Sequence, residues 1–278
     1  MLEGETGLPV LGHLPHLEEA ELESRHLGLR TAGEIGDLSQ RLRRAAETLE
    51  EAMDWERFFA LFDRRPGWAA PPSRAGGGGV PLAVARDEVF CFAYAETLDA
   101  LRDEGVPEGA CGLYLPGGYP ELYAGRLADN RAMRACVRGL VEGGMPTVAE
   151  CGGFLYLGRS LEGADGGSYP MAGVLPGVRR DRLVRFGYAN LRAEGDSLLF
   201  RAGETVPVHE FHYWDSTDNG GDLTAVKPLT GRSWRCGFVS GRLYAAFPHL
   251  YFAGRPGLAE RFVRAAKEYG EERISYEV

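Results

Sequence analysis

Apolar and polar residues follow two different patterns along most of this chain, short continuous apolar runs and helical spacing. Short apolar runs of the kind that form buried strands occupy 80–85, 111–118 (where the run ends in a turn) and 146–150. After these runs, apolar residues recur every three or four positions, which predicts helices over 96–104 and 130–142 and another that begins at 154. Because strands and helices alternate, we expect an α/β fold with a mostly parallel sheet flanked by helices.

The pattern changes at about residue 170, where strand-like segments follow each other without helices between them. The predicted strands are GVLPGV, RFGYANLRA, WRCGFVSG and RLYAAF. A helix over 257–269 then ends the regular pattern. Its predicted inward face consists of Leu258, Phe262, Val263 and Ala266.

The first 68 residues form a separate segment. The run GLPVLGHLP predicts one buried strand, and apolar residues at helical spacing predict a helix over 38–52 with Asp37 as its N-cap. Asp54 is the expected cap of a second, short helix rich in aromatic residues. A lone strand cannot satisfy its backbone, so residues 1–68 look like the end of a larger domain.

The segment AAPPSRAGGGG, residues 69–79, predicts a flexible linker, because two prolines and four consecutive glycines cannot hold a regular element. It divides residues 1–68 from a body over 80–278. The glycine run lacks the Lys and Ser/Thr of a phosphate-binding loop, and no G-x-x-x-x-G-K-[ST] pattern occurs in the sequence.

Composition excludes several classes of function. The 278 residues carry a net charge of -9, which argues against nucleic acid as a main partner. The N-terminus lacks a signal-peptide pattern, and no apolar run reaches the roughly 18 residues of a membrane span. Five cysteines without a CxxC pair suit free thiols in a reducing compartment better than a disulfide framework. We therefore expect a cytoplasmic protein.

The stretch PTVAECGGFLYL, residues 146–157, holds the strongest candidate for chemistry. Cys151 stands between a buried run and the start of a helix, framed by the small residues Ala149 and Gly153, as in a nucleophile elbow. N–H groups at the start of the helix would favour the thiolate. The alternative is a buried structural cysteine, an interpretation that we keep for Cys91, Cys111, Cys136 and Cys236.

A cysteine nucleophile needs a base, and His249 is the first candidate. It follows the end of an apolar strand, as Cys151 does, so both would open onto the same edge of the sheet. His209 and His212 form the second candidate. Their spacing could also suggest a metal site with Glu210, but no further ligands support it, and we predict no metal. We expect surface or packing roles for His13, His16 and His26.

The turn LPGGYPELY, residues 115–123, is the third feature. Gly117 and Gly118 let backbone N–H groups approach a ligand without interference from side chains. Such groups could form an oxyanion hole for attack on a carbonyl. The alternative is an ordinary tight turn between a strand and a helix.

Together these segments resemble the glutamine amidotransferase domain of cobyrinic acid a,c-diamide synthases. The resemblance is carried by VAVARDEVFCFAY, GGYPELYAGRLADN, PTVAECGGFLYL, HEFHY and AAFPHLYFAGRPGLAERFV, and it extends to GETGLPVLGHLP and ESRHLGL in the first 68 residues. It implies a flavodoxin-like class I amidotransferase domain over 80–278. It also implies that residues 1–68 are the remnant of a P-loop-type synthetase domain.

The resemblance also implies an activity, that of a glutamine-hydrolysing amide ligase in cobalamin biosynthesis. Ammonia released from glutamine is used for the ATP-dependent amidation of the a and c carboxylates of cobyrinic acid. The implied partners are glutamine, a corrinoid or related tetrapyrrole, and a P-loop synthetase domain or subunit that binds Mg-ATP. The glutaminase domain itself needs no cofactor. A homodimer is one option for the oligomeric state.

By resemblance, Cys151 is the nucleophile and His249 the base. The residues expected to contact the substrate and the oxyanion are Gly117, Gly118, Gly152, His209 and His212. The acid found two places after the histidine in other amidotransferases is Tyr251 here, so we expect a Cys–His dyad without a third member.

The sequence departs from the pattern of the resembled family in three places, and these departures keep other interpretations open. The P-loop is absent, the strand expected between Gly105 and Cys111 is missing, and Pro248 directly precedes the presumed base. One alternative is a degenerate, non-catalytic binding module. Another is the equivalent part of a hydrogenobyrinate or Ni-sirohydrochlorin a,c-diamide synthase.

Overall fold

The structure is a computed structural model that describes residues 2–22, 32–62, 80–102 and 109–276. The chain divides into two compact units, Met1–Ser73 and Arg74–Val278. This division falls within the range 69–79 that was predicted as a linker, although the linker itself lies outside the described residues.

The first unit is helical in its described part. It contains α1 (Leu2–Thr6), α2 (Leu38–Ala52) and α3 (Trp55–Phe62), with short 3-10 turns at Glu18–Ala20 and Ala32–Glu34. The predicted N-terminal strand is wrong, since the described part of the unit holds only a single bridge between Gly12 and Met53. Three apolar residues of that run, Leu8, Val10 and Leu14, are exposed.

Two predicted helix caps have different outcomes. The Asp54 carboxylate accepts a hydrogen bond from the Arg57 N–H at 3.0 Å, which confirms it as the cap of α3. Asp37 lies at the N-cap position of α2, but its side chain makes no capping hydrogen bond. Instead it pairs with Arg41 one turn later, at 2.9 Å.

The second unit has five α-helices in its described part. They are α4 (Ala95–Arg102), α5 (Ala124–Asp129), α6 (Arg131–Glu142), α7 (Gly152–Leu157) and α8 (Pro256–Tyr276), and 3-10 turns lie at Pro120–Tyr123 and Phe252–Gly254. No helix in the described ranges is long and apolar enough to cross a membrane. The predicted inward face of α8 is confirmed, because Leu258, Phe262, Val263 and Ala266 are all buried.

The strands of the second unit belong to two sheets. In chain order, those in its described part are β1 (Leu82–Val84), β2 (Gly112–Leu115), β3 (Thr147–Glu150), β4 (Ser160–Glu162), β5 (Ser168–Pro170), β6 (Val178–Ala193), β7 (Thr205–Ser216), β8 (Leu223–Val226), β9 (Ser233–Cys236), β10 (Phe238–Val239), β11 (Leu243–Ala246) and β12 (His249–Leu250).

One sheet contains the predicted α/β pattern. Its order is β1-β2-β3-β11-β10, and every pairing is parallel except that of β10 with β11. Within the described residues β1 is an edge strand that pairs directly with β2. The segment in which the sequence lacks an expected strand lies largely outside the described residues, which resume at Gly109. The expected α/β class with a mostly parallel sheet is confirmed.

The second sheet is mainly antiparallel and dominated by one long pairing, β6 with β7. Its order is β12-β7-β6-β4-β5, and β8 and β9 extend it beside β6. The predicted strand GVLPGV is wrong, because only its last residue, Val178, begins β6. Its Leu175 is nevertheless buried, so the apolar run marks a buried loop.

The two sheets share one hydrophobic core. Tyr114 and Val148 of the first sheet cluster with Leu191 and Val208 of the second and with Phe262 of α8. Each large apolar side chain buried in this way contributes roughly 1.5–3 kcal/mol to stability. The shared core fixes the first sheet against β7 and β12, which is the junction where the candidate site lies.

Candidate active site

The candidate nucleophile and base follow two neighbouring parallel strands. β3 and β11 are paired so that Glu150 lies opposite Ala246, the last residues of the two strands. Cys151 comes directly after β3, and His249 comes three residues after Ala246. The structure therefore brings both residues to the same carboxyl edge of the sheet, as the sequence predicts.

Cys151 occupies a strained backbone position. Its φ of 46° and ψ of -100° make it the one non-glycine residue with positive φ in the described part of the chain. Such a conformation costs about 1–3 kcal/mol and is concentrated at functional sites. Since β3 ends at Glu150 and α7 begins at Gly152, Cys151 forms the sharp strand-to-helix turn of a nucleophile elbow.

Gly117 lies between the two candidate catalytic side chains. A Cβ atom added to Gly117 would lie 3.3 Å from His249 Nδ1 and 3.4 Å from Cys151 Cβ, and would collide with His249 Cε1. Both side chains therefore flank the same glycine. A side chain at position 117 would collide with the imidazole and contact Cys151 Cβ.

Backbone N–H groups gather beside the thiol. The N–H of Gly152 points at Cys151 and lowers the pKa of its thiol. The nitrogen of Gly118 is 2.7 Å from the place where a Cβ atom of Gly152 would be, so the two glycines are in close contact. The described part of the chain offers no acceptor to the Gly118 N–H. These two groups are the candidates for an oxyanion hole.

The pKa of the Cys151 thiol is raised, mainly by burial and further by the carboxylates of Glu121 and Glu210. The Gly152 N–H acts in the opposite direction but does not outweigh them. The N–H at the start of α7 thus favours the thiolate, as expected, but burial and the two carboxylates have the larger effect on the pKa of the thiol. Cys151 is a thiol at neutral pH and requires a base to become nucleophilic.

His249 is the candidate for that base. Its side chain is only 11% exposed, and burial, together with His209 and His212, lowers the pKa of its imidazole to about 4. The ring is therefore neutral at pH 7 and free to accept a proton. Its Nδ1 lies 3.8 Å from a carboxylate oxygen of Glu150.

His212 is part of a buried network beside the site. Its Nδ1 donates to the Trp214 carbonyl at 2.7 Å, and its Nε2 is 2.8 Å from Glu210 Oε1. Its ring stacks on Phe247 with centroids 3.6 Å apart. Both ring nitrogens are engaged, so neither is left for the substrate contact that we expected.

His209 lies on the other face of β7, directly opposite His249 in the pairing of β7 with β12. It is half-buried, and its ring contacts the exposed rings of Phe186 and Tyr188. Of the two expected substrate-binding histidines, only His209 keeps a partly open ring. Its role in binding stays a prediction.

Sequence reasoning gave none of the carboxylates of this site a role beside the thiol. Glu150, Glu121 and Glu210 are all buried and all raise the pKa of Cys151. A signal for Glu150 was present, since a charge that ends a buried apolar strand requires partners inside the protein. In the described ranges no group of three or more His, Cys, Asp or Glu side chains could hold a metal ion.

The elbow cysteine, the histidine beyond the neighbouring strand and the mostly parallel sheet define a class I glutamine amidotransferase-like α/β domain. Residues 83–257 match the model of the CobB/CobQ-like glutamine amidotransferase domain. The chain belongs to this family.

Relatives extend the similarity to nearly the whole chain. Cobyrinate a,c-diamide synthase of Caldanaerobacter subterraneus is 33% identical over 98% of this chain and 64% of its own length. The enzyme of the same name from Salmonella typhimurium is 36% identical over 94% of this chain and 61% of its own. The chain thus spans under two thirds of these relatives.

Among solved structures, PurLQS from Thermotoga maritima matches at a TM-score of 0.47 with 17% identity, covering 69% of this chain and 99% of that one. A likeness at this level adds nothing to the family assignment.

Proposed function

We propose that the second unit hydrolyses glutamine to glutamate and ammonia, with Cys151 as nucleophile and His249 as base. The observation that carries the proposal is the placement of both side chains against Gly117, at the end of adjacent parallel strands. A neutral imidazole beside a protonated thiol is the starting state of a cysteine nucleophile served by a base.

In the first half-reaction His249 takes the proton of the Cys151 thiol, and the sulfur attacks the carboxamide carbon of glutamine. Negative charge develops on the carboxamide oxygen, where the N–H groups of Gly118 and Gly152 would stabilise it. The protonated imidazole then gives its proton to the leaving nitrogen. Ammonia departs and leaves a γ-glutamyl thioester on Cys151.

In the second half-reaction water replaces ammonia. His249 removes a proton from the water as its oxygen attacks the thioester carbon, and the proton returns to the sulfur as glutamate leaves. The thiol and the neutral imidazole are restored. No metal or cofactor takes part in either half of this scheme.

The wider role is an extension of this proposal. The relatives are named cobyrinate a,c-diamide synthases, and names of this kind support a ligase that uses glutamine nitrogen in cobalamin biosynthesis. We propose that the ammonia serves the ATP-dependent amidation of the a and c carboxylates of cobyrinic acid, or of a related tetrapyrrole. Because this sequence has no P-loop pattern, that step requires a P-loop synthetase domain or subunit that binds Mg-ATP.

Release of glutamate from glutamine tests the proposal. It should be measured for the purified chain alone and together with a P-loop synthetase partner, after circular dichroism has shown that the protein is folded. Glutamate release under either condition supports a glutaminase. Its absence under both conditions contradicts the proposal and favours the non-catalytic binding module.

A further inference from the structure

Glu150 is a buried carboxylate that the proposed half-reactions do not use. Its side chain is 1% exposed and both of its oxygens are held. Oε1 accepts a hydrogen bond from the Leu250 N–H at 2.9 Å, and Oε2 accepts one from the Tyr114 hydroxyl at 3.0 Å. The carboxylate is thus fixed from two directions, by the residue next to His249 and by β2.

The same carboxylate faces the imidazole. Oε2 of Glu150 lies 3.8 Å from Nδ1 of His249. This distance is too long for a hydrogen bond, but a shift of about 1 Å would bring it within range. Catalytic hydrogen bonds often tighten only when substrate is bound. In the described part of the chain, Glu150 is the only carboxylate paired with His249.

Glu210, another buried carboxylate near the thiol, is engaged elsewhere. Glu210 is bound to His212 at 2.8 Å and faces Arg185 at 3.7 Å. The position two residues after His249, where other amidotransferases carry an acid, is Tyr251. The residue directly before the nucleophile is therefore the one placed to supply the third member of the site.

We propose that Glu150 is a positioning residue that holds Nδ1–H of His249, so that Nε2 faces the Cys151 thiol. This inference rests on the proposed function and replaces the expected Cys–His dyad with a three-residue site. Its acid comes from the position immediately before the cysteine.

The proton balance is simple. Nδ1 keeps its proton throughout, directed at Glu150, while Nε2 takes the proton of the Cys151 thiol and later gives it to the leaving ammonia. The imidazolium that forms between these steps faces a carboxylate, which stabilises it in a buried site. In this scheme the transferred proton is carried by Nε2, and Glu150 acts through its charge and its position.

The ionisation of Glu150 gives the proposal a pH signature. Burial raises the pKa of this carboxyl to about 7, while the bonds from Leu250 and Tyr114 act to lower it. The other titratable groups within electrostatic reach are the phenols of Tyr94 and Tyr244, both with raised pKa values, and the buried Cys151 thiol. All three are neutral at pH 7. The glutaminase rate should therefore rise through about pH 7 as Glu150 ionises.

The principal test is Glu150→Gln, which keeps the shape of the side chain and removes its charge. We expect kcat to fall roughly 10- to 100-fold with KM nearly unchanged, because misplacement of a catalytic group affects the chemical step. The rise through pH 7 should disappear. Glu150→Asp should restore part of the rate. Tyr114→Phe should move the rise to higher pH, because it removes a hydrogen bond that lowers the pKa of Glu150.

A second readout does not depend on glutamine. The rate at which iodoacetamide alkylates Cys151, followed by peptide mass spectrometry across pH 6–9, reports how well His249 activates the thiol. Glu150→Gln should slow this alkylation at neutral pH. In a His249→Asn background this slowing should disappear, because Glu150 then has no imidazole to act through. Loss of the Glu150 charge, which raises the pKa of the Cys151 thiol, should leave alkylation there equal or faster.

The outcomes separate this inference from the proposed function. If the wild-type chain releases no glutamate, the proposed function fails, while alkylation still tests the link between Glu150 and His249. Unchanged kcat and alkylation in Glu150→Gln, within about twofold, would overturn the inference. So would an equal loss of alkylation in the wild-type and His249→Asn backgrounds, which would indicate a structural role. If Glu150→Gln does not fold, the upward pH shift in Tyr114→Phe decides the question.

Discussion

The backbone N–H of Cys151 donates to the carbonyl of Ala246 at 2.9 Å. This bond extends the parallel pairing of β3 and β11 by one residue, into the strained turn that carries the thiol. It also ties the nucleophile to the strand that leads to His249. The relative placement of the two side chains is therefore set by sheet hydrogen bonds and does not depend on a loop alone.

Substitution of the nucleophile is the first prediction. Cys151→Ala should abolish glutamate release, because no other thiol in the described part of the chain lies at an elbow. Cys136 is exposed on α6, and Cys136→Ala is the matched control that should retain full activity. Glutamate release at saturating glutamine measures both. Substantial activity in Cys151→Ala would exclude the proposed chemistry.

The space at Gly117 is the second prediction. In Gly117→Ala the new methyl group would collide with the His249 ring and contact Cys151 Cβ, so the rate should fall at least 10-fold. Gly139→Ala is the control, because no atom outside the neighbouring backbone of its own helix lies within 4 Å of its added Cβ. This control should stabilise α6 by about 0.5–1 kcal/mol and leave activity unchanged. Equal activity in both variants would count against the placement of His249.

The third prediction concerns stability and pH. The pKa of His249 is about 4 in the folded protein, against 6.5 for an ordinary histidine, so the unfolded chain takes up a proton that the buried ring does not. The contribution of His249 to the free energy of unfolding is therefore fully present above pH 6.5, and it is lost as the pH falls towards 4. His249→Gln should remove this loss, which is at most about 3 kcal/mol.

Urea unfolding of wild type and His249→Gln between pH 7.5 and 4.5 measures this pH-dependent loss of stability. The difference between their unfolding free energies reports the histidine together with its coupling to Glu150, which lies 3.8 Å from the ring. Parallel curves would show that the ring is not buried as a neutral group.

The fourth prediction separates the two histidines of β7. His212→Ala should cost about 3–5 kcal/mol, because it removes the stack on Phe247 and leaves the buried carboxyl of Glu210 without its hydrogen-bond partner. His209→Ala is the control and should cost about 1 kcal/mol or less, since its ring is half-buried among exposed aromatic rings. Chemical denaturation measures both. A larger loss in His209→Ala would contradict the network described for His212.

Residues whose role depends on their neighbours in the sequence, or on the alternation of strands and helices, could be predicted from the sequence. The elbow at Cys151 follows from a buried run, small neighbours and a helix start. The approach of His249 follows because parallel strands end at one edge. The inward face of α8 follows from helical spacing.

Residues whose role depends on distant partners could not be predicted in this way. The two donors that hold Glu150, Tyr114 and Leu250, are 36 and 100 residues away in sequence. The raised pKa of Cys151 depends on burial, and no local motif reports burial. GVLPGV was predicted as a strand because it is a short apolar run, but most of it lies in a loop that contains glycine and proline.

The most direct test of the central claim is to label the protein with a reactive diazoketone analogue of glutamine and to identify the modified residue by peptide mass spectrometry. Wild type should be labelled on Cys151 alone, glutamine should compete with the label, and His249→Asn should react far more slowly. An absence of labelling in folded protein, or labelling spread over Cys91, Cys111, Cys136 and Cys236, would contradict a glutamine-attacking Cys151.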